Sequence, residues 1–149
     1  MNSELEELYQ SVILDHSKRP RNFGELPGAI SVHGDNPSCG DEIDLHVKFA
    51  ADGSVEDIKF TGQGCAISQA SASMMTLKLK GKPRAEAQEM ARSFHDLVTT
   101  EVPDPPRHLG DLRLLQGVRK FPQRVKCAML AWRAFEQATG EGGTVSTEV

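Results

Sequence analysis

Long apolar runs are missing from this chain. No stretch approaches the roughly 20 residues that cross a bilayer as a helix, so no membrane partner is expected. Basic charge is not in excess either: Lys and Arg number 17 against 21 Asp and Glu, a net charge of −4. That balance lacks the electrostatic footprint of a nucleic-acid binder. The chain starts with Glu4, Glu6 and Glu7 where a secretory leader would carry an apolar core, so a cytoplasmic location is the expectation. Cysteine is scarce and odd in number, at positions 39, 65 and 127. No two stand as Cys-x-x-Cys. Three make a poor disulfide framework and fit thiols kept reduced. The 149 residues suffice for one domain with its own core. That domain is expected over residues 1–140, followed by a disordered tail over 141–149.

The densest chemistry present is the stretch Asn36-Pro37-Ser38-Cys39-Gly40-Asp41. Turn formers surround the thiol, so the backbone bends there near the surface. If Asp41 opens a strand, the two-residue period puts Cys39 and Asp41 on the same side. A thiol and a carboxylate facing one way on a tight turn are metal-type ligands. On the hexapeptide alone, a turn holding a small buried Cys and an Asx-type acid is an equal reading.

Asp41 to Phe49 alternates, with Ile43, Leu45, Val47 and Phe49 on the core side. His46 falls on the polar side and reads as solvated. Asp52-Gly53 reads as a two-residue hairpin turn, and Val55 to Thr61 as the return strand, with Ile58 and Phe60 inward. Centring the hairpin on Asp52-Gly53 sets Val47 against Ile58, Leu45 against Phe60, Ile43 against Gly62 and Asp41 against Gly64. Cys65 then arrives within cross-strand reach of Asp41 and Cys39. Ala29 to His33 is a further short strand.

Helices complete the reading. Glu4 to Ser17 has Leu5, Leu8, Val12 and Ile13 at helical spacing, Ser3 as N-cap, Glu6 in the capping-box position and Pro20 as its stop. Ala66 to Lys80 follows Cys65, with Ile67, Ala70, Met74 and Leu77 as its apolar stripe and Gly81 beyond its end. Pro83 opens a helix to about Leu97, bearing Ala87, Met90, Ala91, Phe94 and Leu97 on one face. Thr99 to His108 is loop. Asp111 caps a short helix with Leu112, Leu115 and Val118. Pro122 opens the last helix, with Val125, Ala128, Met129, Trp132 and Phe135 apolar and Gly140 ending it.

All three cysteines thus fall at junctions between elements. Cys65 stands at a helix N-terminus, where the dipole favours a thiolate. Cys127 is flanked by Arg124 and Lys126. Three thiolates and a carboxylate make the four ligands of tetrahedral zinc, although periodicity does not place Cys127 with the others. Inert core thiols remain an alternative. So does a Cys–His nucleophile pair with His33, His46, His95 or His108. The glycines of Gly62-Gln63-Gly64 are a weak match to a phosphate loop, lacking the Lys-Ser/Thr that follows one.

Three motifs together carry a resemblance: Asn36-Pro37-x-Cys39-Gly40-Asp41, Gly62-x-Gly64-Cys65-Ala66-Ile67-Ser68 and Arg124-Val125-Lys126-Cys127. They resemble the NifU/IscU-like family of iron–sulfur cluster assembly proteins, from the N-terminal helix to about Gly140. The resemblance implies an α+β fold, a small antiparallel sheet of about three strands with helices packed on one side. It also implies a metal site of three Cys and one Asp, which falls here on Cys39, Asp41, Cys65 and Cys127. Scaffold members of the IscU type carry His before the third Cys, where this chain has Lys126. They also carry a Leu-Pro-Pro-Val-Lys motif, where this chain reads Phe121-Pro122-Gln123-Arg124-Val125-Lys126. The segment Gly110 to Val118 is similar to the insertion of the SufU type.

That closer resemblance implies a zinc-dependent sulfurtransferase-like carrier rather than a stand-alone enzyme. Its expected partner is a pyridoxal-phosphate cysteine desulfurase of the SufS type, with Cys39 as persulfide acceptor and downstream Suf assembly proteins as recipients. Two alternatives use the same four ligands: a scaffold binding iron or an iron–sulfur cluster, and a structural zinc module for docking.

Overall fold

The computed structural model describes residues 3–139 and 143–146. The chain runs α1 (Ser3–Lys18), β1 (Ile30–Asn36), β2 (Asp41–Phe49), β3 (Val55–Gln63), α2 (Ala66–Leu79), α3 (Arg84–Thr99), a 3-10 segment (Arg107–Lys120), α4 (Pro122–Ala138) and β4 (Gly143–Ser146). The sheet order is β3-β2-β1-β4. β1, β2 and β3 are antiparallel neighbours, and β4 lies parallel to β1. The expected α+β fold is therefore present, with β1 extending past the expected end at His33. Within the tail expected over 141–149, Gly143–Ser146 adds a fourth strand at the edge of β1; the rest of that tail lies outside the described residues. Thr144 and Val145 suit a strand, and the otherwise open edge of β1 supplies the hydrogen-bonding row.

The hairpin keeps the expected register at its base by an unexpected route. Ala50 N–H donates to Ser54 O and Gly53 N–H to Ala50 O, both at 2.9 Å. The loop is therefore Ala51-Asp52-Gly53, with Gly53 at φ +89° in the conformation glycine tolerates best. The shift this introduces is undone by a bulge on β3, since Phe49 pairs with Val55 but Lys48 with Asp57. Beyond the bulge, Val47 meets Ile58, Leu45 meets Phe60 and Ile43 meets Gly62.

Ile43, Leu45, Val47, Ile58 and Phe60 are buried in one core with residues of all four helices. α2 lies at its centre, against α1 on one side and α4 on the other. Its expected stripe is wrong in part: Leu77 is 51% exposed, while Ser68, Ser71, Ser73 and Thr76 are buried. A helix enclosed on most sides needs small residues all round, and its hydroxyls find local partners. Ser71 donates to Ala128 O (2.6 Å) and accepts from Trp132 Nε1 (3.1 Å). Trp132 stacks on Phe94 of α3 at 4.6 Å. The α3 stripe is buried as expected.

In α1, Val12 is half-buried and Ile13 buried. The roles expected of Ser3, Leu5, Glu6 and Leu8 lie outside the described side chains, and Gly140 outside the described residues. Asp111 does not cap an α-helix. It lies inside the 3-10 segment, which kinks at Gly110, and Leu109, Leu112, Leu115 and Val118 are buried at the three-residue period of that helix type. His46 is half-buried rather than solvated, with Nδ1 2.8 Å from Ser31 Oγ across the β1–β2 pair.

Candidate metal centre

Two turns and two helix beginnings meet at one corner of the sheet. The β1–β2 turn is closed by Cys39 N–H donating to Asn36 O (3.1 Å) and Gly40 N–H to Pro37 O (3.3 Å). It leaves Cys39 half-buried. Asp41, the first residue of β2, is only 1% exposed, a burial its carboxylate tolerates only with partners. One partner is the entry to α2. Cys65 is the N-cap of that helix, and its N–H donates to Asp41 Oδ1 at 2.8 Å. Its Sγ lies 3.8 Å from Asp41 Oδ2. A carboxylate thus sits at the positive end of α2.

Gly64 makes this approach feasible. A Cβ there would stand 2.2 Å from Asp41 Oδ1 and 2.9 Å from Asp41 Cα, at φ +152°. A Cβ on Gly62 would likewise stand 2.2 Å from Glu42 O. These glycines serve close backbone approach, which accounts for them without a phosphate.

The third thiol arrives from far along the chain. Cys127 lies in the second turn of α4 and is fully buried. Asn36 Nδ2 donates to its sulfur at 3.6 Å. Cys39, Asp41 and Cys127 present ligand atoms that all lie within 4.8 Å of one another. Cys65 is not part of that group and stands beside it, linked through Asp41. The expected meeting of Asp41 and Cys65 is present, whereas Cys39 groups with Asp41 and with Cys127, which the packing of α4 delivers. No histidine belongs to the group among the described residues. Instead, His33 pairs with Asp44 (2.9 Å) and His95 with Asp96 (3.7 Å).

The thiols polarise one another. The hydrogen bond from Cys127 holds the Cys65 thiol down at about 6, against burial and the Asp41 charge, which both push it up. Cys127 is driven far up, first by the same hydrogen bond and then by burial. Of the two, Cys65 is thus the more acidic thiol and Cys127 the less. Arg124, one turn before Cys127, has its guanidinium raised, chiefly by the Cys65 charge and then by its hydrogen bond with Cys127. A divalent ion would displace the thiol protons. The donor set, three thiols and one carboxylate crowded in a partly buried corner, fits zinc in type and number.

Two residues of this corner carry more than the sequence reading gave them. In the sequence Asn36 reads only as a turn former, and Arg124 only as flanking charge. The signal for Arg124 is its helical i, i+3 spacing from Cys127. Asn36 shows none beyond its place in the motif.

The NifU-like N-terminal domain family model matches residues 8–139. The chain belongs to that family. The zinc-dependent sulfurtransferase SufU of Bacillus subtilis is 50% identical over 144 residues, covering 95% of this chain and 97% of that protein. The iron–sulfur cluster assembly scaffold protein IscU of Streptococcus pyogenes is 48% identical, covering 91% of this chain and 85% of that one. Among solved structures, SufU of Fervidobacterium islandicum, described as an iron–sulfur cluster assembly scaffold protein for the SUF system, superposes with a TM-score of 0.80 at 35% identity, covering 89% of this chain and 97% of that one. The NifU-like fold and the SufU resemblance read from the three motifs are both upheld. Among the described residues, no helix is long and apolar enough to cross a membrane.

Proposed function

We propose that this protein is a sulfur carrier in iron–sulfur cluster assembly, with zinc held by Cys39, Asp41, Cys65 and Cys127. The observation that carries the reading is the convergence of Cys39, Asp41 and Cys127 within 4.8 Å, with Cys65 against the same carboxylate. Likeness over nearly the whole chain to a relative named a zinc-dependent sulfurtransferase supports the metal and the role. Zinc would supply the charge that keeps these thiols deprotonated at neutral pH.

Cys39 is the acceptor in this reading. Cys127 is fully buried within α4, and Cys65 is tied by its amide to Asp41 at the start of α2. Cys39 hangs half-buried on a turn that can move without unwinding a helix. A cysteine desulfurase of the SufS type presents a persulfide at this turn. The Cys39 thiolate attacks its outer sulfur. The partner's S–S bond breaks and leaves the partner's thiolate, while a new S–S bond on Cys39 carries the outer sulfur and its proton. One S–S bond replaces another, so no external oxidant or reductant is needed. Downstream Suf assembly proteins then take the sulfur.

The test incubates wild type and each Cys→Ser variant with the desulfurase and L-cysteine, then maps the added sulfur by peptide mass spectrometry. The adduct is expected on Cys39. Cys65→Ser and Cys127→Ser are expected to lose metal and stability first. A persulfide confined to Cys65 or Cys127, with Cys39 dispensable, sinks the assignment. The likeness to a relative named a cluster assembly scaffold keeps a second reading in view. Visible absorbance after anaerobic reconstitution with iron and sulfide, without desulfurase stimulation, would favour it.

A further inference from the structure

Asn36 touches three of the four candidate ligands, each through a different group. Its carbonyl accepts the Cys39 N–H at 3.1 Å. Its backbone is the β1–β2 ladder partner of Asp41. Its side-chain amide donates to Cys127 Sγ at 3.6 Å. The residue is wholly buried, and its Oδ1 has no hydrogen-bond partner.

A purely structural role fits this poorly. An amide buried with one end unsatisfied is an inferior space filler beside an apolar side chain of the same shape. What the amide offers here is an N–H aimed at sulfur. A metal-bound thiolate can only accept, so Nδ2 toward Cys127 is the orientation a loaded centre requires. Donors to a ligating sulfur draw electron density from it and fix its direction, which sets how firmly the metal is held.

We propose that Asn36 is the positioning residue of the centre: it fixes Cys39, Asp41 and Cys127 relative to one another, and its N–H···S bond tunes Cys127 as a ligand. This rests on the metal reading above. The division of labour follows from the three contacts. The Asn36 side chain anchors Cys127 in α4, whereas Asn36 holds Cys39 through its backbone, within the turn. The anchored sulfur stays with the metal while the turn thiol moves.

The full-length chain is loaded with Co²⁺ as a spectroscopic probe, as wild type, Asn36→Leu and Asn36→Asp. The wild type should show tetrahedral d–d bands and sulfur-to-cobalt charge transfer. Both variants should bind cobalt with the charge-transfer band moved to lower energy, and should release it to a chelator about tenfold faster. Asn36→Asp keeps the shape of the side chain should Asn36→Leu fail to fold. A measurement without any variant uses ¹¹³Cd-loaded wild type, in which the Asn36 side-chain NH₂ should couple to cadmium through Cys127.

Unchanged band energy and release rate with only a lower Tm would overturn the proposal while leaving the metal centre standing. So would Asn36 amide resonances that neither couple to cadmium nor shift on loading. Failure of the wild type to bind Co²⁺ or Cd²⁺ would overturn the metal reading itself, and this proposal with it.

Discussion

Asp41 and Cys65 are joined twice, Oδ1 accepting the Cys65 amide at 2.8 Å and Oδ2 lying 3.8 Å from the Cys65 sulfur. One carboxylate thus holds the start of α2 with one oxygen and faces the thiols with the other. The sheet and the helix are in register with each other through this pair.

Gly64→Ala should break that arrangement. The added Cβ would fall 2.2 Å from Asp41 Oδ1 and 2.9 Å from its Cα, at a φ of +152°. Backbone strain of this kind costs about 1–3 kcal/mol. The expected outcome is lower stability in urea and a lower bound-metal content on elemental analysis. Full metal content in a stable variant would show that Asp41 does not need the Cys65 amide.

The two roles of Asp41 separate by substitution. Asp41→Asn keeps an oxygen for the Cys65 amide but loses the charge, whereas Asp41→Ala loses both. Both should speed metal release to a chelator. Only Asp41→Ala should also destabilise the metal-free chain, by about 1–3 kcal/mol for the orphaned amide. Metal exchange unchanged in Asp41→Asn would remove the carboxylate from the ligand set.

Metal removal should be visible in the fold. Protein purified without added metal is expected to be colourless, with about one zinc per chain. Because the centre joins β1, β2, α2 and α4, stripping it should lower Tm, by the equivalent of about 2.7 kcal/mol when free zinc had stood at 100 times its Kd. Equal Tm before and after chelation would count against a metal bound at this corner.

His16 gives a pH dependence. Its Nδ1 lies 2.8 Å from Ser73 Oγ, and the Arg21 N–H donates to the same oxygen at 2.8 Å. Burial, then the Arg21 charge, hold this histidine below its ordinary value of 6.5. The unfolded chain therefore binds the proton first as pH falls. Stability from this site is full above about pH 6.5 and is lost below it, by at most about 1.4 kcal/mol per pH unit. Urea unfolding from pH 7.5 to 5 should show a shallower loss in His16→Gln than in wild type. Parallel curves would mean that His16 titrates normally.

Ser71 supports the only tryptophan. Ser71→Ala leaves Trp132 Nε1 buried without its acceptor, a loss of about 1–3 kcal/mol. Unfolding followed by Trp132 fluorescence measures it directly, and a change under about 0.5 kcal/mol would mean that another group takes the proton.

Where neighbours along the chain decide the structure, the sequence is legible. Alternation over 41–49 and 55–60 makes the hairpin readable, and with it the meeting of Asp41 and Cys65. The α3 stripe is readable because one face alone is buried. α2 is not, since a helix enclosed on most sides has no single stripe, and helical spacing alone points Leu77 inward. The buried leucines of the 3-10 segment repeat every third residue, a period easily mistaken for a ragged α-helix. Cys127 reaches the centre through the packing of α4, which no local pattern encodes. The part played by Asn36 stays hidden for a similar reason, because its side-chain partner lies at position 127.

The bulge opposite Lys48 and Phe49 separates the two ends of the hairpin. The bulge offsets the extra loop residue, so pairing near Asp41 keeps the register that a two-residue loop would have set. Ala51 and Asp52 are exposed, and the strand between tip and centre spans about 26 Å. That tip is a handle: a fluorophore or affinity tag attached there would travel with the domain, yet stand clear of the corner that holds Cys39, Asp41 and Cys127.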